Sequence, residues 1–208
     1  MWKNSYKNIY ETGTDSELPA PYLSATSTTQ TTIKAKINNK YEGYTYKYNN
    51  KTINDDTFIA EGLCPASSYA IYVDISKYGI TYSTSVSAQT LGIYPTVIGG
   101  ASSASSIFAN GAYTKGDAVF VKEAFKCNGK EVEGKSISVN GLKPNTSYNV
   151  DYTITVAYGD NNQYTTTFTD SKSVKTNPLT LTTEQPKVIS SGNVIVGATT
   201  NVDEEEKN

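Results

Sequence analysis

Apolar and polar residues alternate along most of the chain with a period of two, which is typical of β-strands with one buried face. The clearest runs are residues 31–37, 69–75 and 148–156. Polar turns such as Asn49-Asn50 and Asn128-Gly129 separate these runs, and Asn-Gly is the strongest short signal for a two-residue hairpin. The pattern therefore predicts an all-β chain of short antiparallel strands.

One eight-residue stretch occurs twice, as GLCPASSY at residues 62–69 and GLKPNTSY at residues 141–148. The two tyrosines lie 79 residues apart (148 − 69), the length of a small β-sandwich. Gly supports turn geometry, Pro ends a strand ladder, and Tyr opens the next strand with its hydroxyl near the upstream backbone. We predict two structural tyrosine corners, formed by Gly62, Leu63, Pro65 and Tyr69 and by Gly141, Leu142, Pro144 and Tyr148.

The motif G-L-x-P-x-(S/T)-S-Y resembles the tyrosine corner of fibronectin type III domains and other immunoglobulin-like sandwiches. The resemblance implies an all-β fold of tandem immunoglobulin-like (fibronectin type III-like) β-sandwiches with a short N-terminal arm. That family usually carries a Trp on its second strand. The corresponding stretches of this chain, residues 33–37 and 107–108, contain none.

The repeat divides the chain into four predicted segments. These are an N-terminal docking arm or linker (1–20), a first sandwich (21–91), a second sandwich (92–177) and the start of a third, incomplete β unit (178–208). The short junction favours semi-rigid, end-to-end stacking, and the small polar run 99–106 favours a loop or bulge. Two strands cannot close a sandwich, so we expect the chain to continue, or else another subunit to complete the third unit.

Composition narrows the possible functions. The net charge is −2, no His is present, and the printed sequence contains no Arg, which excludes His-activated nucleophiles, His metal sites and bidentate Arg clamps. The sequence has no cluster of basic residues, which argues against nucleic-acid binding. It also has no apolar run of 18 residues, the length needed to span a membrane. We therefore expect no catalytic residue, no cofactor and no metal ion. Cys64 and Cys127 lie at non-equivalent positions of the repeat, so we expect no disulfide.

Three local features have a functional and a structural interpretation. Asp55-Asp56 could act as an acid/base pair, but adjacent side chains point apart and a solvated loop is favoured. Residues 159–162 could offer oxygens to Ca²⁺, but the segment has only one charged residue, and a structural hairpin turn is the favoured interpretation. Tyr44, Tyr46 and Tyr48 could stack on sugars, and cross-strand pairing is the preferred alternative.

The N-terminal arm carries the one Trp of the protein. Trp2, Tyr6, Ile9 and Tyr10 follow i, i+4, i+7 and i+8 spacing, which would form one apolar stripe on a helix. The arm either frays or orders against a partner protein, and the second interpretation makes these four residues a partner-docking site. The start lacks the apolar core of a signal peptide, so we expect assembly in a cytoplasm.

The whole chain resembles surface or fibre proteins of tailed bacteriophages, and residues 197–206 are similar to repeats in fibre-type proteins of crAss-like and related gut phages. The resemblance implies the N-terminal anchoring part of a head or tail fibre, located in the virion. It would form a homodimer or homotrimer, bind capsid or tail proteins through the arm, and project distal domains toward host-surface glycans. The alternatives are a carbohydrate-binding module of a bacterial surface protein and an accessory domain pair of a depolymerase.

Overall fold

The computed structural model describes residues 19–191 and 193–201. Nearly all regular structure in these residues is antiparallel β-strand, which confirms the predicted all-β class. Within the described ranges, no helix is long and apolar enough to cross a membrane.

The described residues form two compact units, and each unit is discontinuous in sequence. The first unit contains Ile33–Ala60, Tyr69–Ala88 and the described residues that precede Thr28. The second unit contains Thr28–Thr32, Glu61–Ser68 and the described residues from Gln89 onward.

Seven strands form the first β-sandwich: β1 (Tyr22–Thr28), β2 (Ile33–Asn38), β3 (Thr45–Tyr48), β4 (Lys51–Thr52), β5 (Thr57–Ala60), β6 (Ser68–Lys77) and β7 (Ile80–Gln89). One sheet has the order β1-β2-β5 and the other β4-β3-β6-β7. In β2 the predicted alternation is present, since Ile33, Ala35 and Ile37 are buried and the two lysines between them are exposed. The core consists of Leu23, Ile37, Tyr46, Ile53, Val73 and Ile75.

Seven further strands form the second β-sandwich: β8 (Thr96–Ala101), β9 (Ile107–Ala112), β10 (Val119–Cys127), β11 (Lys130–Glu133), β12 (Ser136–Val139), β13 (Ser147–Tyr158) and β14 (Tyr164–Lys175). Its sheets have the orders β12-β9-β8 and β11-β10-β13-β14. Numbered within each sandwich, strands one, two and five form one sheet, and strands four, three, six and seven form the other. The internal sequence repeat is therefore a repeat of topology.

The core of the second sandwich is centred on β13, whose Val150, Tyr152, Ile154 and Val156 are all fully buried. The Tyr152 ring stacks on Phe125 of β10 with ring centroids 4.5 Å apart. The long run of alternating residues in this strand thus forms the middle of the core, as its period predicts.

The C-terminal described residues form two short antiparallel strand pairs. Strand β15 (Leu181–Thr183) pairs with β18 (Ala198–Thr200), and β16 (Lys187–Ser190) pairs with β17 (Asn193–Ile195). The two runs expected to begin a third unit, at 186–189 and 193–198, thus contain strands.

The prediction of a loop or bulge was wrong for residues 99–101, which form the end of strand β8. Gly99 lies opposite Ala109 of β9, and a Cβ at Gly99 would clash with the Phe108 carbonyl oxygen. Glycine is required here because two backbones approach closely, a situation that composition alone does not distinguish from a loop. The turn itself begins after Ala101.

Candidate functional site

The two predicted corners adopt the same backbone conformation. Gly62 and Gly141 have φ of +70° and +72°, in the left-handed region that favours glycine. Four residues later, Ala66 and Asn145 also have positive φ, of 55° and 53°. Each corner therefore makes two sharp changes of direction before its tyrosine.

In the first corner a buried threonine holds the turn closed. Thr90 is only 2% exposed, and its hydroxyl donates to the Cys64 carbonyl oxygen at 2.7 Å. The Ser67 amide donates to the same hydroxyl at 3.0 Å, and the Thr90 amide donates to the Ser67 carbonyl at 3.0 Å. Leu63 and Pro65 are buried, and Tyr69, the second residue of β6, is half-buried.

The second corner repeats these hydrogen bonds at nearly the same distances. The Thr176 hydroxyl donates to the Lys143 carbonyl at 2.7 Å and accepts from the Thr146 amide at 3.0 Å. The Tyr148 hydroxyl accepts from the Lys143 amide at 2.9 Å, which is the bond expected of a tyrosine corner. Leu142 is buried and Pro144 is exposed.

Thr90 and Thr176 were not among the residues predicted from the sequence. The signal that could identify them is weak: each threonine directly follows the last strand of its sandwich. Their roles depend on the end of the seventh strand meeting the corner before the sixth, a contact that the sequence does not encode locally. We call Thr90 and Thr176, with the turns that they hold, the threonine clasps.

A groove of about 260 Å³ opens on the first unit, lined by Tyr44, Lys77, Tyr78, Ile80 and Tyr82. We call it the tyrosine groove. The Lys77 ammonium lies 4.5 Å from the centroid of the Tyr44 ring and 5.1 Å from that of Tyr78. Burial raises the pKa of Tyr82, and the neighbouring tyrosines Tyr46, Tyr44 and Tyr41 raise it further. The groove is thus aromatic, with one positive charge held against its rings.

The tyrosines suggested by the sequence as a sugar-stacking set have different environments. Tyr46 is 1% exposed and its hydroxyl accepts from the Tyr41 amide at 2.9 Å, which is a structural role. Tyr48 packs against Phe58 with ring centroids 5.1 Å apart. Only Tyr44 of the three lines the tyrosine groove.

A carboxylate in the second unit organises the loop formed by Thr28–Thr32. Asp117 accepts from the Gln30 amide at 2.9 Å and from the Thr31 hydroxyl at 2.8 Å, and it also accepts from the Thr29 hydroxyl. Partial burial raises the pKa of Asp117, but the hydrogen bonds from Thr29, Thr31 and Gln30 outweigh it and lower the pKa overall.

One acidic side chain is buried in the second sandwich. Glu123 accepts a hydrogen bond from the Tyr152 hydroxyl. Burial and the nearby Glu123 carboxylate raise the pKa of Tyr152, so the hydroxyl remains a donor. This pair satisfies two buried polar groups and has a structural explanation.

The remaining candidates within the described residues do not converge on one place. Trp2, Tyr6, Ile9 and Tyr10 lie outside the described residues. The exposed Asp56 carboxylate lies 3.9 Å from the ammonium of the half-buried Lys40, and residues 160–162 form a short 3₁₀ helix between β13 and β14. Across residues 19–191 and 193–201, no group of three or more His, Cys, Asp and Glu side chains could hold a metal ion.

The strand orders and the paired sheets define the fold of this protein. It consists of tandem immunoglobulin-like (fibronectin type III-like) β-sandwiches.

Comparison with solved structures finds fibronectin type III tandems. The chain is 18% identical to a two-domain fibronectin type III segment of chicken tenascin, covering 74% of this chain and 98% of that one, with a TM-score of 0.33. It is 13% identical to the FN1–FN3 domains of chicken CNTN1, covering 76% of this chain and 67% of that one, with a TM-score of 0.28. No protein-family model and no curated protein matches the chain.

Proposed function

We propose that the chain is a non-enzymatic structural module of a tailed-phage virion, the N-terminal anchoring part of a head or tail fibre. Its segments would be an arm (1–20), two sandwiches (21–91 and 92–177) and the start of a third unit (178–208). The arm would bind capsid or tail proteins, and the distal part of the fibre would meet the host. The module would work as a homodimer or homotrimer.

The observation that carries the structural role is the repetition of one corner. Both sandwiches close the same turn with a buried threonine, and the hydroxyl of each accepts from one amide and donates to one carbonyl. Scaffold proteins are often built from repeated units of one fold, and the shared corner makes these two sandwiches such a repeat. The assignment to a phage rests on the resemblance of the sequence to phage fibre proteins.

The test of this function is incorporation into particles. In a phage whose genome encodes this chain, changing both Trp2→Ala and Tyr6→Ala should abolish incorporation, because both residues belong to the proposed docking stripe. The matched control changes Asn4→Ala and Asn8→Ala, polar positions of the same arm. Circular dichroism of each variant checks that the sandwiches remain folded.

Loss of incorporation in the Trp2/Tyr6 variant, with normal incorporation of the Asn4/Asn8 variant, is the expected result. Particles that carry the Trp2/Tyr6 variant in normal amounts would contradict the proposal. Absence of the wild-type chain from purified particles would also contradict the proposal.

A further inference from the structure

The tyrosine groove exposes more apolar surface than folding requires. Tyr78 is 91% exposed and Ile80 is 73% exposed, and both lie beside Tyr82 at the same end of the sheet β4-β3-β6-β7. Single exposed apolar residues are ordinary, but these side chains line one concave surface. Their grouping points to a ligand that covers them.

The backbone at Tyr78 supports a role for its side chain. Tyr78 and Gly79 form the two-residue turn between β6 and β7, and both have positive φ. Nine described residues other than glycine have positive φ, and seven of them are Asn. Asn is the residue that such a turn favours, as in Asn128-Gly129 of the second sandwich, whereas a bulky Tyr strains it. Strained residues of this kind cluster at functional sites.

The charge of the groove indicates the sign of the ligand. Lys77 is the one charged residue that lines it. Within the described residues, the structure records no ion pair between Lys77 and a carboxylate. Its ammonium instead lies over the rings of Tyr44 and Tyr78, so the groove presents a positive charge that has no carboxylate partner within 4.0 Å among the described residues.

We propose that the tyrosine groove binds a carboxylate-bearing sugar unit of an acidic glycan. The C–H face of a pyranose ring would pack on the tyrosine rings, its hydroxyls would bond the tyrosine hydroxyls, and its carboxylate would pair with Lys77. Tyr supplies rigid, amphipathic contact area at low entropic cost. The volume of about 260 Å³ is just below the range usual for pockets that hold drug-sized ligands, which suits a single sugar unit of a longer glycan.

Nucleic acid fits the groove less well. Single-stranded nucleic acid needs a basic channel along its backbone as well as stacking rings. The groove offers one lysine, and the chain has a net charge of −2.

The direct test is an array of uronate-bearing, sialylated and neutral glycans, with an acidic peptide included as a competing ligand. The wild-type chain should bind the acidic glycans. Lys77→Ala should weaken this binding about ten- to a hundredfold, the loss expected for one charge-assisted contact. Tyr82→Ala should also weaken it. The matched controls are Lys47→Ala and Tyr72→Ala, exposed residues outside the groove.

Tyr78→Asn separates binding from folding. Because Asn suits the turn, this variant should melt at the same or a higher temperature than the wild type while losing affinity for the acidic glycan. Added salt should weaken wild-type binding, since one contact is ionic. Tyr78→Asn should leave incorporation into particles unchanged. The proposals for the glycan site and for the anchoring arm can therefore be disproved independently.

The proposal would be overturned if the wild type bound no acidic glycan, if it bound acidic and neutral glycans equally, or if the groove variants and their controls lost the same affinity. Preference for the acidic peptide over every glycan would also overturn it, and would point to a protein ligand.

Discussion

Thr90 and Thr176 each use one hydroxyl to satisfy two backbone groups. In each clasp the hydroxyl donates to a carbonyl and accepts from an amide within a turn that has no strand partner for either group. Because both threonines are buried, water cannot replace these bonds. A small polar side chain at the end of a strand therefore fixes the entry to the sixth strand of each sandwich.

The first prediction concerns these hydroxyls. Thr90→Val and Thr176→Val keep the shape of the side chain but leave backbone groups unpaired, so each should lower the free energy of unfolding by about 1–3 kcal/mol. Urea unfolding followed by circular dichroism measures the change. The exposed Thr81→Val and Thr165→Val, on the last strands of the two sandwiches, should stay within about 0.5 kcal/mol of the wild type. Equal stability of all four variants would contradict the role of the clasps.

Strand β8 shows that one element can require glycine at one position and tolerate a side chain at the next. A Cβ at Gly99 would meet the backbone of β9, whereas a Cβ at Gly100 would have no atom within 4 Å. The requirement at Gly99 thus comes from the separation of β8 and β9.

Gly99→Ala should therefore destabilise the chain by about 1–3 kcal/mol, because the added methyl group forces the backbones apart. Gly100→Ala should be neutral, or stabilising by up to about 1 kcal/mol, since it restricts the unfolded chain. The free energy of unfolding in urea distinguishes the two variants. A loss of the same size in both would show that β8 and β9 are not held at this separation.

The loop of Thr28–Thr32 depends on the charge of Asp117. The folded pKa of this carboxyl is lowered, so its contribution to stability is fully present above the unfolded pKa, about 3.9. The contribution is lost as the pH falls through the lower folded pKa. An NMR titration of the Gln30 amide should therefore show a midpoint below the ordinary value for Asp.

In the same titration, Asp117→Asn should remove that transition, and Asp55→Asn, in an exposed loop, should leave it unchanged. A wild-type midpoint at or above the ordinary value for Asp would contradict the hydrogen-bonded geometry.

The elements differ in how well the sequence predicts them, and the reason is the range of the interactions involved. Alternation of apolar and polar residues predicts strands β2, β6 and β13, because a strand with one buried face needs an apolar residue at every second position. Asp117 and Thr29 lie 88 residues apart, and no local pattern reports their contact. The tyrosine groove likewise depends on β3 pairing with β6, which brings Tyr44 near Lys77.

At the scale of the whole molecule, a repeated scaffold is combined with the tyrosine groove and the proposed docking arm. Both sandwiches share one strand order, and both close their corners with a buried threonine. The tyrosine groove belongs to the first unit only. The proposed docking residues lie in the arm, so scaffold, groove and arm can each be altered separately.

The measurement that tests the proposed function most directly is multi-angle light scattering of residues 1–208, alone and mixed with candidate capsid or tail proteins. Fluorescence of Trp2, the one Trp of the chain, is read in parallel. We expect a dimer or trimer whose Trp2 emission shifts to the blue when the correct virion protein is added. A monomer with a water-exposed Trp2 in every mixture would contradict the proposed function.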